Sequence, residues 1–197
     1  MKKNLITAAL MTVATTFLLG VLYPLLVTVI AQMVFPGKAN GQLIRREGKI
    51  IGSRMIGQGF AGPGYFHPRP SVAGNGYDAA NSAGSNLAPT NRKLIDRVRQ
   101  DVAALRSRSS SQLVPIDLVT TSASGLDPHI TPAAAEFQAP RIAAARGLRE
   151  EEIRALIAKH TEGRQFGFLG ESRVNVLELN LALDAISRPS QAGNIQP

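Results

Sequence analysis

The hydrophobic pattern divides the chain into two parts. Between Asn4 and Gly37 there are 34 residues without a charged side chain, with two lysines before this run and one directly after it. About 20 apolar residues are enough to cross a bilayer as a helix, and no other stretch of the chain could do so. The run is also longer than the apolar core of a cleaved signal peptide. The pattern therefore predicts one uncleaved membrane anchor over residues 1–36, hydrophobic from about 5 to 35.

Small and hydroxyl-bearing residues recur every four positions within this anchor: Thr12, Thr16, Gly20, Pro24 and Thr28. In lipid such residues let helices approach closely, so the stripe predicts a seam that packs against partner helices. The alternative is that small residues are simply common in membrane helices and that Pro24 only kinks this one. Lysines lie on both sides of the span, so charge alone leaves its orientation open.

The remaining 160 or so residues fit one compact domain, which we place at residues 37–187. Their periodicity predicts an α+β fold, in which one membrane helix precedes a single mixed α/β globular domain. The predicted elements are a β-hairpin around Glu47-Gly48, a long irregular segment over 57–91, a helix over 90–107, a strand over Val114–Thr120, a helix from Thr131 to Gly147, a helix from Ile153 that Gly163 closes, and a helix that Asn175 caps. A disordered tail is expected over residues 188–197.

Composition narrows the possible functions of this domain. The net charge is +8, but the basic residues are not interleaved with stacking aromatic residues, so a nucleic-acid partner is not expected. Cysteine is absent, which excludes disulfides, thiol catalysis and cysteine-ligated metals. The positive charge remains compatible with lipid headgroups or an acidic protein partner.

The motifs that could carry chemistry are weak. Gly57–Gly62 has the dinucleotide-binding spacing, but Pro63-Gly64 follows, where that motif requires a helix to begin. Residues 82–86 faintly match a serine-glycine-rich phrase that contacts ATP phosphates in transport cassettes, which makes Ser82, Gly84, Ser85 and Asn86 nucleotide candidates. The alternative is that these residues form a plain turn. Asp127 and His129 could form a catalytic pair, yet no activated nucleophile accompanies them. We therefore predict no catalytic residue, no metal site and no cofactor bound by a motif of the chain's own.

Several longer phrases together resemble one family, the C subunit of the Kdp potassium-transporting ATPase, or KdpC. The phrases that carry the resemblance include Leu22–Thr28, Ile56–Phe60, Tyr65–Ser71, Ser85–Asn91, Ser124–Ile130, His160–Arg164 and Val174–Leu181. The resemblance covers nearly the whole chain, from Met1 to about Ile186. One departure is Ala83-Gly84, where the family usually has two glycines.

The resemblance implies an accessory subunit in a bacterial inner-membrane complex. Its expected partners are KdpA, a channel-like K⁺-binding subunit, KdpB, a P-type ATPase subunit, the small peptide KdpF as an optional member, and membrane lipid. The amino terminus is expected in the cytoplasm and the domain on the extracytoplasmic side. The family is described as a catalytic chaperone that raises the ATP affinity of the ATPase subunit. A domain outside the membrane cannot touch cytoplasmic ATP, so this effect would have to be indirect and ATP would enter only through the complex.

Three hypotheses follow: an accessory subunit without chemistry of its own, a chaperone that binds ATP directly, and a membrane-anchored hydrolase using Asp127 and His129. The first is our interpretation. The residues expected to contact partners are those of the anchor stripe, Thr12, Thr16, Gly20, Pro24 and Thr28, and those of the loops, Gln58, Phe60, Tyr65, Phe66, His67, Asn86 and Asn91.

Overall fold

A computed structural model describes residues 1–107 and 113–186, so the predicted disordered tail at 188–197 lies outside the described residues. The chain forms two compact units, Met1–Ser53 and Arg54–Pro197. The elements in chain order are α1 (Lys2–Phe17), a π-helical turn (Leu18–Leu22), α2 (Tyr23–Val34), α3 (Pro36–Ala39), β1 (Leu43–Arg46), β2 (Lys49–Ser53), α4 (Arg92–Arg106), a 3₁₀ turn (Ile116–Leu118), β3 (His129–Ile130), α5 (Pro132–Arg146), α6 (Glu150–Lys159), β4 (Thr161–Glu162), β5 (Arg173–Asn175) and α7 (Val176–Ile186). The predicted class, an apolar helix followed by a mixed helix and sheet domain, is confirmed.

In the first unit, the apolar run folds as a continuous helical rod over Lys2–Val34. It has a mean hydropathy of 2.2, and none of its most apolar window is buried inside the chain. Its length and composition are those of a helix that can cross a membrane.

Pro24 explains the π-helical turn within this rod. A proline lacks an N–H, and its ring collides with the carbonyl four residues earlier, here that of Gly20. The helix widens at Leu18–Leu22, where the Tyr23 N–H donates to the Leu18 carbonyl instead of to the carbonyl four residues back. The rod therefore passes the proline through a local π turn and resumes as α2.

The predicted hairpin completes the first unit. Arg46 pairs with Lys49, and the two turn residues Glu47 and Gly48 both have positive φ, 51° and 78°. That combination is the one a two-residue hairpin turn requires. The unit boundary falls after Ser53, so the hairpin groups with the helix.

In the second unit, α5, α6 and α7 pack around one apolar core and a three-stranded antiparallel sheet in the order β3-β5-β4. The most deeply buried large side chains are Phe66, Ile142, Ile153, Ile157, Leu179 and Leu183. Five of these six come from the three helices, and Phe66 comes from the long irregular segment. The core thus joins the helices to that segment.

The helix ends predicted from capping residues are confirmed at three places. The Thr131 hydroxyl accepts from the Ala134 N–H at 3.2 Å and begins α5, which runs on through Pro140. Gly147 ends it with a φ of 65°, a conformation that favours glycine. The Asn175 side chain accepts from the Glu178 N–H at 3.1 Å and begins α7.

Two predictions about the second unit are wrong. Val114–Thr120 is not a strand: Ile116–Leu118 is a 3₁₀ turn, because the buried carboxylate of Asp117 accepts from the Thr131 N–H at 2.7 Å and holds the chain in a turn. Gly163 does not close α6, which ends at Lys159. Thr161–Glu162 leaves the helix to pair with β5, and this pairing supplies its backbone hydrogen bonds.

Candidate functional site

The candidate site is the long irregular segment over residues 57–91, which carries all seven loop residues expected to contact partners. An irregular segment of this length inside a compact domain is usually a binding surface. To present a defined surface it must be fixed by something other than its own secondary structure. The helices α5 and α7 supply that support.

Two buried amide side chains hold the backbone of the segment at consecutive residues. Asn180 of α7 accepts from the Phe66 N–H at 2.8 Å and donates to the Phe66 carbonyl at 3.0 Å. Gln138 of α5 accepts from the His67 N–H at 2.8 Å and donates to the His67 carbonyl at 3.1 Å. Asn180 is 1 % exposed and Gln138 is 4 % exposed. These two amides, which we call the amide clamp, therefore satisfy four backbone groups that burial would otherwise leave unpaired.

Two arginines extend this support along the preceding residues. Arg141 donates to the Tyr65 carbonyl at 2.9 Å and to the carbonyl of Pro63. Arg146 donates to the Gly64 carbonyl at 2.6 Å and lies over the Tyr65 ring, 4.5 Å from its centroid. Both guanidinium groups are positively charged, and hydrogen bonds from a charged donor are stronger than those between neutral groups.

A second support for the segment is its close packing against residues 122–127. The Gly57 N–H donates to the Leu126 carbonyl at 2.7 Å, and a Cβ on Gly57 would lie only 2.6 Å from the Asp127 carbonyl oxygen. A Cβ on Gly84 would lie 2.7 Å from the Ala123 carbonyl oxygen. Glycine is required at both positions because two backbones meet there without room for a side chain.

This packing gives a structural reason for the serine-glycine phrase that suggested a nucleotide. The Ser82 hydroxyl donates to the Ser124 carbonyl at 2.9 Å, and the Ala83 N–H donates to the same oxygen at 3.0 Å. Gly84 makes the close backbone approach, and Asn86 takes a positive φ of 51°. Ser85 remains a nucleotide candidate on sequence grounds alone, as do the other three.

The Asp127 and His129 pair lies at a polar cleft of about 290 Å³. The Asp127 carboxylate accepts from the His129 backbone N–H at 3.0 Å and lies 3.3 Å from the Arg69 guanidinium. Burial acts to raise the pKa of Asp127, but hydrogen bonds from His129 and the charge of Arg69 outweigh it, so the pKa is lowered. The carboxylate is therefore held charged, which suits an ion pair that fixes two loops to each other.

Tyr77 holds two further parts of the segment, at Arg69 and at Gly59, next to each other. Its hydroxyl donates to the Arg69 carbonyl, and its ring packs against Gly59, where a Cβ would lie 3.1 Å from the ring. Burial raises the pKa of Tyr77 to about 12. The phenol stays protonated at neutral pH and can keep donating this hydrogen bond.

The expected contact residues of the loops differ in what they can offer a partner. Phe66 is 0 % exposed and belongs to the core, so its side chain presents no surface of its own to a partner. Phe60 is partly buried and stacks at 5.7 Å on Tyr65, which is itself half-buried. Asn91 caps α4 by accepting from the Lys93 N–H at 2.9 Å. His67 is held by its backbone, and its ring Nε2 lies 3.0 Å from the Gly62 carbonyl oxygen.

The other predicted residues lie in two places. Gln58 is half-buried and Asn86 is exposed in the loops, while the five stripe residues of the anchor are exposed along the helical rod. Within the stripe, the Thr28 hydroxyl donates to the Pro24 carbonyl at 2.7 Å, and a Cβ on Gly20 would meet only the Thr16 methyl group, at 3.8 Å. The stripe thus leaves a shallow, open surface at Gly20.

An apolar groove of about 750 Å³ runs beside the clamped segment. It lies between the segment and α5, and its apolar lining includes Pro68, Pro70, Leu105, Leu118 and Phe137. Such a lining suits the side chains of a protein partner better than the phosphates of a nucleotide.

Comparison with known proteins decides the family. The family model described as K⁺-transporting ATPase, c chain, matches residues 5–185. The chain belongs to the KdpC family. It is 66% identical over 184 residues to the potassium-transporting ATPase KdpC subunit of Koribacter versatilis, covering 93% of this chain and 95% of that protein. It is 60% identical over 181 residues to the KdpC subunit of Acidobacterium capsulatum (92% and 97% covered), and 52% identical over 197 residues to that of Rhodopseudomonas palustris (94% and 99%).

Sequence reasoning missed the residues that organise the loop face of this KdpC-family chain, by which we mean the surface formed by residues 57–91 and the residues 122–127 packed against them. Gln138, Arg141, Arg146 and Asn180 all lie on helices. Asn180 falls within the family phrase Val174–Leu181, but nothing in that phrase indicates a role for its side chain. The available signal was the single amide in the apolar run Val176–Leu183, because a buried amide must find a partner. The sequence could not show that the partner is the backbone of a segment more than 100 residues away.

Proposed function

We propose that this chain is a non-catalytic accessory subunit that stabilises the assembly of an ATP-driven K⁺ uptake complex. Its proposed partners are the channel-like subunit KdpA, the P-type ATPase subunit KdpB and, as an optional member, the peptide KdpF. The observation that carries the proposal is the exposed apolar rod Lys2–Val34, whose most apolar window is not buried in the chain itself. We infer that lipid covers the rod and that partner helices pack along its stripe. The family match over residues 5–185 supplies the identity of the complex.

The anchor stripe is the proposed helix-packing surface. Gly20→Leu fills the open surface there, and since a Cβ at this position meets nothing closer than 3.8 Å, the chain itself is not disturbed. We expect less of the complex to co-purify with this variant. Val21→Leu also adds volume, at the neighbouring position outside the stripe, and is the matched control. An intact Gly20→Leu complex would refute a partner-facing seam.

The proposed topology places the amino terminus in the cytoplasm and the domain on the extracytoplasmic side of the bacterial inner membrane. Lys2 and Lys3 favour this orientation. A protease added to right-side-out vesicles should digest the domain, and the same protease added to inverted vesicles should not. The reverse pattern would refute the topology.

We also propose that the chain raises the ATP affinity of the ATPase subunit indirectly, as a catalytic chaperone. Support comes from the serine-glycine phrase at residues 82–86, whose hydroxyl and small residues are used in backbone packing. Coupling between separate sites is a free energy carried by the subunits between them. Removing the chain should raise the KM of the complex for ATP, while the isolated chain should bind no ATP in equilibrium dialysis. ATP capture by the isolated chain would favour a direct chaperone.

His129→Ala tests the hydrolase alternative. We expect unchanged K⁺ transport by a complex that carries this variant, because the proposed function assigns no chemical step to the His129 imidazole. Lost transport in a complex that still assembles would support catalysis by the chain.

A further inference from the structure

The chain between β4 and β5 turns back at an apolar tip, which is formed by Phe166, Phe168 and Leu169. Their relative exposures are 87%, 70% and 48%. The tip is ordered, because the Gln165 N–H donates to the Leu169 carbonyl and the Leu169 N–H donates to the Gln165 carbonyl, both at 2.9 Å. Two large aromatic side chains are thus held in water on a defined turn. We call residues 165–170 the aromatic tip.

Phe166 is not only exposed but also held in an unfavourable backbone conformation. Its φ is 53°, in the left-handed region that Gly167 beside it also occupies, with a φ of 81°. A bulky residue rarely adopts this conformation, and glycine or asparagine is favoured there. Such strain persists where function demands it, and here burial within the chain does not compensate for it.

The aromatic tip is continuous with the loop face described above. The polar cleft of about 290 Å³ is lined by Arg69 and His129 together with Glu171 and Arg173, which lie at the base of the β4–β5 hairpin. Arg69 lies two residues after His67, whose backbone the amide clamp holds. A partner seated on the loop face therefore has the aromatic tip at its border.

The charges around the tip favour a protein over a bilayer. Residues 165–170 carry no charge, and the flanking residues Arg164 and Glu171 have opposite signs. A loop that inserts into lipid headgroups gains from a cationic collar, and these flanks do not provide one. An apolar centre with a mixed polar rim is the usual anatomy of a protein–protein contact, in which aromatic residues act as anchors.

We propose that the aromatic tip inserts into an apolar pocket on another chain of the K⁺-transporting ATPase. This inference rests on the proposed function and adds a docking element to it. Burying two phenylalanines and a leucine would cover roughly 400–600 Å². A standard interface buries about 800 Å² on each partner, so the loop face must supply the rest.

The decisive experiment compares two variants in the purified, detergent-solubilised complex. The double variant Phe166→Ala with Phe168→Ala should dissociate at least about tenfold faster, as expected when two anchor residues are truncated. Ile116→Ala removes a side chain that is 69% exposed outside the hairpin and is the matched control, with dissociation unchanged. An unchanged dissociation rate of the double variant would overturn the proposal.

Phe166→Gly separates docking from folding. It removes both the strain and the aromatic side chain, so the unfolding midpoint of the chain alone should rise by about 2–4 °C while dissociation from the complex becomes faster. A merely structural role would lower both the midpoint and the affinity, and that result would overturn the proposal.

Lipid and self-association are tested on the full chain alone. The chain contains no tryptophan, so Phe168→Trp reports on the tip without interference. In phosphatidylethanolamine–phosphatidylglycerol vesicles we expect no quenching by brominated lipid, and quenching would identify the bilayer as the occupant instead. A dimer of the chain that the double variant disrupts would likewise overturn the proposal. The proposed function fails separately, if K⁺ transport does not require the chain at all.

Discussion

Replacing Asn180 by leucine tests whether the amide clamp holds the loop face. Leucine has a similar volume, so the change removes hydrogen bonds without opening a cavity. It leaves the N–H and the carbonyl of Phe66 without the partners they have at 2.8 and 3.0 Å. Both groups are shielded from water, because Phe66 is 0 % exposed and Asn180 is 1 % exposed.

The expected loss follows from the cost of unpaired buried groups. Each such group costs about 1–3 kcal/mol, so two cost about 4 kcal/mol together. That is a large share of the 5–15 kcal/mol by which proteins are usually stable. For a domain of this size, 1 kcal/mol shifts the unfolding midpoint by about 2–4 °C, so we expect a fall of about 8–16 °C.

Circular dichroism of the full chain in detergent measures the midpoint, and limited chymotrypsin digestion after Phe66 reports whether the segment has detached. Asn81→Ala is the matched control, because Asn81 is exposed and its side chain donates to Asp78 in the same turn. Asn180→Asp adds a second test. A protonated aspartate can donate to the Phe66 carbonyl as the amide does, so this variant should recover stability as the pH falls. An Asn180→Leu variant with the wild-type midpoint and with Phe66 still protected from chymotrypsin would refute the clamp.

Three further predictions concern the packing of the same loops. Gly57→Ala should destabilise the domain by about 1–3 kcal/mol in urea unfolding, because the new Cβ would lie 2.6 Å from the Asp127 carbonyl oxygen. Gly163→Ala is the control and should be tolerated, because nothing lies within 4 Å of a Cβ at that position. Equal losses of stability in the two variants would contradict the reasoning. The lowered pKa of Asp127 means that its folded form prefers the charged state, so its stabilisation is complete above about pH 4 and is lost as the pH falls through the folded pKa. Asp127→Asn should therefore flatten the acid limb of the stability profile, and an unaltered limb would show that other carboxyls control it. The pKa of Tyr77 is raised from 10.0 to about 12, so its stabilisation is present below about pH 10 and is lost between pH 10 and 12; Tyr77→Phe should remove that alkaline loss, and a persistent loss would contradict the assignment.

The sequence was a good guide wherever structure is set by neighbouring residues. The cap at Thr131, the glycine at Gly147 and the turn at Glu47-Gly48 each depend on a few adjacent side chains, and each is confirmed. The strands of the central sheet were missed because they are two or three residues long, too short for alternation to show. The false strand at Val114–Thr120 had the expected composition, but a hydrogen bond to Asp117 from Thr131 turns the chain there.

The sequence indicated where the candidate loop segment lies, but it did not indicate which residues hold that segment in place. The length and the glycine content of residues 57–91 indicate a functional loop, and this region does lie on a supported face. Its order, however, comes from Gln138 and Asn180, which replace the hydrogen bonds that a sheet would have given the segment. An accessory subunit that works by contact needs such a surface to be rigid before its partner arrives, because ordering a loose loop on binding would consume part of the binding free energy. The buried amides are therefore as much a part of the proposed docking function as the exposed residues, although they touch no partner themselves.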